Sequence, residues 1–351
     1  MDLNHLEELS NIDPEHMLSE IDALPEQLES AWKLGLQQPL PQMSEVNLII
    51  VAGMGGSAIG ADLLAGVETD RSPVPVIVQR DYDLPAYANG SKTLAVISSH
   101  SGNTEESLSA LDAAIQNHCQ IVAISTGGKL QQAAAKAGVP CWTFEHKGQP
   151  RAAVGYSFGL LLALMVRLGL VSDPSQEVEE AVELMREQRK HLTADVPVNQ
   201  NPAKRMAGQM MGRDVTIFGA GHLAPAARRW KTQINELAKA QASFEYLPEA
   251  DHNTLAGSYN PEKILELSFK VFLQSTLDHP RNMLRSNLTR ETFMQQGINT
   301  DFFKATGDSR IAQLWSAVQF GDYTGYYLAL AYDIDPTAIA PISALKEKMS
   351  H

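Results

Sequence analysis

Asn47–Ala58, NLIIVAGMGGSA, is the stretch on which the fold turns. Its first six residues form a short, β-branched, apolar run of strand length. The glycines that follow break the run and open a helical stretch. Three further runs have the same character: Val74–Val78, Thr93–Ser98 and Gln120–Ser125. The last two each precede a Ser/Thr- or Gly-rich turn and an Ala/Leu-rich helical stretch. Continuous apolar strands alternating with helices predict a parallel sheet covered on both faces. The pattern restarts at Asp214–Phe218, which ends on Gly219-Ala220-Gly221 and leads into a long helix beginning near Pro225. Ser243–Tyr246 and Lys270–Leu273 are its next strands. Strand, glycine turn and helix recur at the same place in both halves, which predicts a duplicated α/β domain.

Around these two halves the chain divides into four segments. Residues 1–45 read as a helical lead-in, with apolar positions Met17, Ile21, Leu24 and Leu28 and with Asp13-Pro14 as its start. Residues 46–172 form the first domain. A charged helix over Ser175–His191 links the halves within residues 173–194, and residues 195–351 form the second domain, closing on a short helix at Pro341–Met349. The longest apolar stretch, Ala152–Leu170, is interrupted by Arg167 and several small residues. It reads as a buried helix rather than a membrane span.

Composition narrows the partners. The 351 residues are 44% hydrophobic with 24 Gly and 18 Pro, a globular balance. A formal net charge of -13 repels phosphodiester backbones, and no Lys/Arg-rich run offsets it, so nucleic acid is not an expected partner. An anionic small substrate then needs a local positive pocket built against the overall field. Cys119 and Cys141 cannot form a disulfide framework and carry no metal spacing. Met1–Ser10 is polar and acidic, unlike a signal peptide. Together these point to a reduced, cytoplasmic chain.

Two kinds of motif carry chemistry. Gly53–Ala58 and Gly219–Ala224 both satisfy the dinucleotide pattern G-x-G-x-x-G/A. A dinucleotide site also wants an acidic residue at the end of the second strand, where this chain has Gln79-Arg80 and only then Asp81. Three readings stay open: a nucleotide cofactor, a turn that is purely structural, and a ligand lying close to backbone at Gly55 and Gly56 beside Ser57. The stronger signal is Ser98-Ser99-His100-Ser101-Gly102-Asn103-Thr104-Glu105-Glu106, after the third strand, where helix-terminal N–H groups welcome an anion. The hydroxyls of Ser99, Ser101 and Thr104 and the Gly102 amide can bind a phosphate monoester without a lysine, and no G-K-[ST] occurs in the chain. A capping box would explain one of these hydroxyls, not three within six residues.

GMGGSAIGADLL and SSHSGNTEES together resemble the paired signatures of sugar-isomerase (SIS) domains. Gln149-Pro150-Arg151-Ala152-Ala153, Trp230–Lys239 (WKTQINELAK), Asp251-His252-Asn253 and Pro341-Ile342 with Leu345-Lys346 narrow the resemblance to the bifunctional phosphoglucose/phosphomannose isomerase family, from about residue 45 onward. That resemblance implies two SIS domains, each a doubly wound parallel sheet flanked by helices, packed around one site. It implies interconversion of glucose 6-phosphate, and mannose 6-phosphate, with fructose 6-phosphate through a cis-enediolate. Glu236 matches the family's proton-carrying carboxylate, and Arg151 the arginine that stabilises enediolate charge. His252 matches the ring-opening histidine, supplied across a homodimer interface, and Lys346 the lysine assisting at the ring-oxygen end. Ser57, Ser99, Ser101 and Thr104 would hold the phosphate of a hexose 6-phosphate. The mechanism needs no metal and no nucleotide, and His252 has no second ligand at helical or hairpin spacing.

The chain departs from the family pattern at His100, where an aromatic residue is usual, and at Thr254, where Asn253 is normally followed by Glu. Three rival readings are weaker. A non-catalytic SIS sensor of sugar phosphates would carry an appended DNA-binding module and would not need Glu236, Arg151 and His252 together. A nucleotide-dependent oxidoreductase leaves the hydroxyl loop unexplained, and an amino-sugar isomerase would have a glutaminase-type domain ahead of the SIS pair.

Overall fold

The computed structural model describes Leu3, Asn4 and residues 11–349, so the rest of the acidic Met1–Ser10 segment lies outside the described residues. Its chain forms two compact units, each built on one parallel sheet. One unit comprises Ala23–Met185 and Gly307–Leu314. The other comprises Met1–Asp22, Arg186–Thr306 and Trp315–His351.

The sheet of the first unit holds β1 (Leu48–Ala52), β2 (Val76–Gln79), β3 (Thr93–Ser99), β4 (Gln120–Ser125) and β5 (Cys141–Thr143) in the order β2-β1-β3-β4-β5. Neighbouring strands are all parallel. The order reverses direction between β1 and β3, the switch point at which ligands settle outside the strand C-termini of such sheets. Every residue of the central strand β3 is buried, which is why its sequence is an unbroken apolar run. β2 starts two residues later than its apolar run, because Pro73 and Pro75 lack the N–H a ladder needs. β5 is only three residues long and gives no periodic signal.

The apolar stretch forms the buried helix Val154–Arg167. It packs against the lead-in helix Leu24–Gln37 at very close range. A Cβ on Gly155 would lie 2.8 Å from that of Gln27, and one on Gly159 would lie 2.7 Å from that of Ala31. The lead-in is therefore not a separate segment. Leu24–Gln37 is part of the first unit, while Met17–Asp22 groups with the second.

The second unit carries β6 (Asp214–Ala220), β7 (Ala242–Leu247), β8 (Ser268–Gln274) and β9 (Asn299–Lys304) in the order β7-β6-β8-β9, again parallel throughout. The edge strand β9 has no buried residue, and its polar sequence NTDFFK hides it from a search for apolar runs. Phe218, Phe272 and Phe293 anchor the core on one sheet face. The segment before residue 23 is tied in by Asp13. Its carboxylate accepts N–H bonds from Met17 (2.7 Å) and Leu18 (2.9 Å) and a bond from the Tyr326 hydroxyl (3.2 Å). The linking helix Ser175–Arg189 straddles the boundary between the units at Met185.

Candidate active site

In the first unit, β1 ends at Ala52 and the chain turns through Gly53 into the helix Gly55–Glu68. Gly55 has φ +51, and a Cβ on Gly56 would lie 2.2 Å from the Pro150 carbonyl oxygen. Gly56 is thus required by a close backbone approach, and the backbone it approaches is the one that carries Arg151. Ser57 is 5% exposed, and its Oγ accepts the His100 N–H at 3.2 Å. The glycine turn and the serine loop are thereby joined across the switch point.

The serine loop follows β3. Ser99 Oγ donates to Thr104 Oγ1 at 2.9 Å and accepts the Gly102 N–H at 3.1 Å. Ser101 Oγ is exposed and accepts the Asn103 N–H at 3.2 Å. Thr104 is the N-cap residue of the helix Glu105–Gln116, yet its side chain makes no capping hydrogen bond. The capping explanation for its hydroxyl therefore fails, and the first-turn amides of that helix keep their affinity for an outside anion. Gly102 has φ +67, and a Cβ there would sit 1.9 Å from the Gly127 carbonyl oxygen. The loop is pressed against the turn after β4, which also binds its backbone: Thr126 donates to the His100 carbonyl through N–H (3.0 Å) and Oγ1 (2.7 Å).

Arg151 lies in the 3₁₀ turn Pro150–Ala152 and is 3% exposed. A buried guanidinium cannot shed its charge, so this turn brings a fixed positive charge into the first unit against the acidic balance of the chain. Ser57, Ser99, Ser101, Thr104 and Arg151 lie in one unit. Sequence reasoning missed one feature: the His100 and His146 rings, 46 residues apart, are hydrogen-bonded at 2.9 Å between Nε2 and Nδ1. No local motif around His146 announces it.

Glu236, His252 and Lys346 are carried by the second unit. Glu236 is half-buried on the helix Ala224–Ala238, near its C-terminal end. That helix is fixed by a buried two-point ion pair of Arg229 with Asp322 (3.0 and 2.7 Å) and by the Trp230 N–H on the Ala317 carbonyl (2.7 Å). His252 is exposed at the end of the 3₁₀ turn Glu249–His252. On either side of it, Asp251 accepts from Arg285 (2.9 Å) and Thr289 (2.7 Å), and Asn253 donates to Glu249 (2.7 Å). Thr254 fits without a carboxylate, its N–H and hydroxyl both donating to Asn253 Oδ1 at 2.6 and 3.1 Å. Lys346 is exposed on the helix Ala340–Met349, which has no buried residue.

The second glycine turn repeats the first in backbone and not in chemistry. Gly221 has φ +49, matching Gly55, but the next two positions are His222 and Leu223 where the first turn has Gly56 and Ser57. His222 is buried, its Nδ1 3.9 Å from Asp278. Both of these side chains, His222 and Leu223, are buried. Among the described residues no three His, Cys, Asp or Glu side chains are grouped to hold a metal ion, and no helix is long and apolar enough to cross a membrane.

Comparison with known proteins places this geometry in context. The family model described as the bacterial phospho-glucose isomerase C-terminal SIS domain matches residues 199–349. The bifunctional phosphoglucose/phosphomannose isomerase of Caldicellulosiruptor bescii is 40% identical over 338 residues, which are 95% of this chain and 99% of that one. The protein of the same name from Aquifex aeolicus is 31% identical over 86% of this chain and 90% of its own length. Among solved structures, a hypothetical protein from Thermus thermophilus matches with a TM-score of 0.76 at 16% identity, covering 98% of this chain and 93% of that one. At that identity the likeness shows the fold alone.

Proposed function

The chain belongs to the bifunctional phosphoglucose/phosphomannose isomerase family, and from that premise we propose how its residues divide the work of aldose–ketose isomerisation. The reaction interconverts glucose 6-phosphate with fructose 6-phosphate, and mannose 6-phosphate enters through the same cis-enediolate, since that intermediate is common to both C2 epimers. The observation that carries the reading is the serine loop. Its Ser101 and Thr104 hydroxyls stand at a helix N-terminus whose N-cap side chain makes no capping bond, and Ser99 Oγ braces the loop by donating to Thr104 and accepting from Gly102.

In this reading Ser57, Ser99, Ser101 and Thr104 seat the phosphate, with the backbone at Gly55, Gly56 and Gly102 lying close to substrate. His252 opens the pyranose ring by moving a proton between ring oxygen and hydroxyl, and Lys346 assists at the ring-oxygen end. Glu236 then removes the C2 proton and returns it at C1, a single base serving two carbons. Negative charge gathers on the enediolate oxygens, and Arg151 offsets it with a preorganised guanidinium. The step balances within the substrate: a C–H is broken at C2 and one formed at C1. The O2 hydroxyl gives up its proton as C2 becomes the carbonyl, O1 gains one as the C1 carbonyl becomes a hydroxyl, and no external oxidant enters. The exposed ring of His252 is compatible with service in the site of a second copy, so the active form is proposed as a homodimer. Two unpaired cysteines support a cytoplasmic setting.

Glu236→Gln tests the central assignment. The variant is expected to bind glucose 6-phosphate with near-normal affinity and to lose exchange of the C2 proton with deuterated solvent. Exchange at the wild-type rate removes Glu236 as the base.

A further inference from the structure

We infer that the His100–His146 hydrogen bond is a positioning device that fixes the phosphate-seating loop relative to the turn carrying Arg151. Residue 100 is where three segments of the first unit meet. Its N–H reaches the glycine turn at Ser57 Oγ (3.2 Å), and its carbonyl receives the N–H and Oγ1 of Thr126 after β4 (3.0 and 2.7 Å). Its ring reaches His146 (2.9 Å), in the segment that leads from β5 to Pro150-Arg151. Backbone bonds therefore fix where the ring starts, and the ring carries that position on to the Arg151 segment.

The far end is fixed as well. His146 meets Tyr156 edge-on, with ring centroids 5.9 Å apart, and Phe144 stacks on Tyr156 at 4.7 Å and 19°. The Phe144 ring also contacts His100 at 5.8 Å, edge to face. Packing thus holds both imidazoles where one ring N–H can donate and the other ring nitrogen accept. An all-carbon aromatic at position 100 could pack here, but it could not make this directed bond. The Arg151 turn is consequently located from two sides: by the Gly56 backbone, which admits no Cβ, and by the imidazole pair. A guanidinium offsets developing charge only when held at a set distance from it, and that distance is measured from the seated phosphate. The inference rests on the phosphate and Arg151 assignments proposed above.

The test separates the hydrogen bond from the packing. His146→Leu keeps an apolar contact with Tyr156 and loses the bond. His146→Asn places an amide near the position of Nδ1 and retains it. Kd for glucose 6-phosphate, kcat and the thermal midpoint are measured for both. Expected for His146→Leu is a roughly three- to tenfold weaker Kd together with a several-fold lower kcat, most of both restored by His146→Asn. If the two variants behave alike, whether both normal or both impaired, the hydrogen bond has no positioning role and the inference is overturned. A wild type that binds glucose 6-phosphate without isomerising it would remove the proposed reaction, yet the Leu/Asn split in Kd still tests the pair. A wild type with no measurable affinity for it overturns both.

Discussion

At the scale of single residues, the most informative groups are those whose burial and bonding conflict with their ordinary chemistry. Thr104 stands at an N-cap and does not cap; its hydroxyl accepts from Ser99 instead. Thr104→Ala with Ser101→Ala is expected to raise KM far more than it lowers kcat, because binding common to ground and transition states is what is lost. A normal KM for the double variant would sink the phosphate assignment. Glu68 is a different case. It is 2% exposed, Arg71 lies 4.0 Å away, and Oε2 has no hydrogen-bond partner among the described residues. Burial pushes its carboxyl above the ordinary value, with Arg71 pulling the other way. A raised carboxyl holds its proton more tightly when folded, so its contribution is favourable in acid and is lost as pH rises through the folded value. Glu68→Gln should therefore melt above wild type at about pH 7 and level with it near pH 4. A lower midpoint at neutral pH would mean that the pairing with Arg71 outweighs burial.

At the scale of elements, the site is made by turns pressed against one another at the strand ends. Gly56→Ala puts a Cβ 2.2 Å from a backbone carbonyl, an atom that cannot swing aside. Overpacking of this kind costs about 1–3 kcal/mol, and the displaced segment is the one bearing Arg151. Thermal melts should show the loss, and kcat should fall with it; a variant stable and fully active would mean the turn yields freely. The strand–glycine–helix signal was legible because it is local. Gly55 and Gly221 share a positive φ and the expected positions. What differs between the two turns is also written in the sequence, as Gly56-Ser57 against His222-Leu223. How those side chains are buried, Ser57 against the His100 N–H and His222 beside Asp278, is visible only with the elements in place. β5 and β9 escaped notice because a three-residue strand and a polar edge strand bury too little to leave an apolar run.

At the scale of the whole molecule, two expectations concern assembly. The second unit draws on residues before position 23, where Asp13 bonds Tyr326 and Asp22 bonds Tyr323. Asp13→Ala, which removes two helix N–H partners and a tyrosine partner at once, is expected to destabilise by about 2 kcal/mol, measurable by denaturant unfolding. The proposed sharing of His252 between subunits is tested by mixing two inactive variants, Glu236→Gln and His252→Ala. If His252 acts in the partner's site, each mixed dimer has one intact site, and random reassortment returns about a quarter of wild-type activity. If it acts in its own site, the mixture stays inactive.

The sequence by itself determined the parallel sheets, the duplicated glycine turns and the hydroxyl loop. Each of these is encoded within a dozen neighbouring residues, by strand-length apolar runs and by glycines that only a turn or a close approach requires. The tertiary structure alone decided three things. It assigned Leu24–Gln37 and Met17–Asp22 to different units, turned the Thr104 hydroxyl toward Ser99 rather than its own helix, and set His100 against His146. Such pairings depend on which strand ends the topology makes neighbours and on what remaining space each side chain can fill. Hydrophobic periodicity has no term for either.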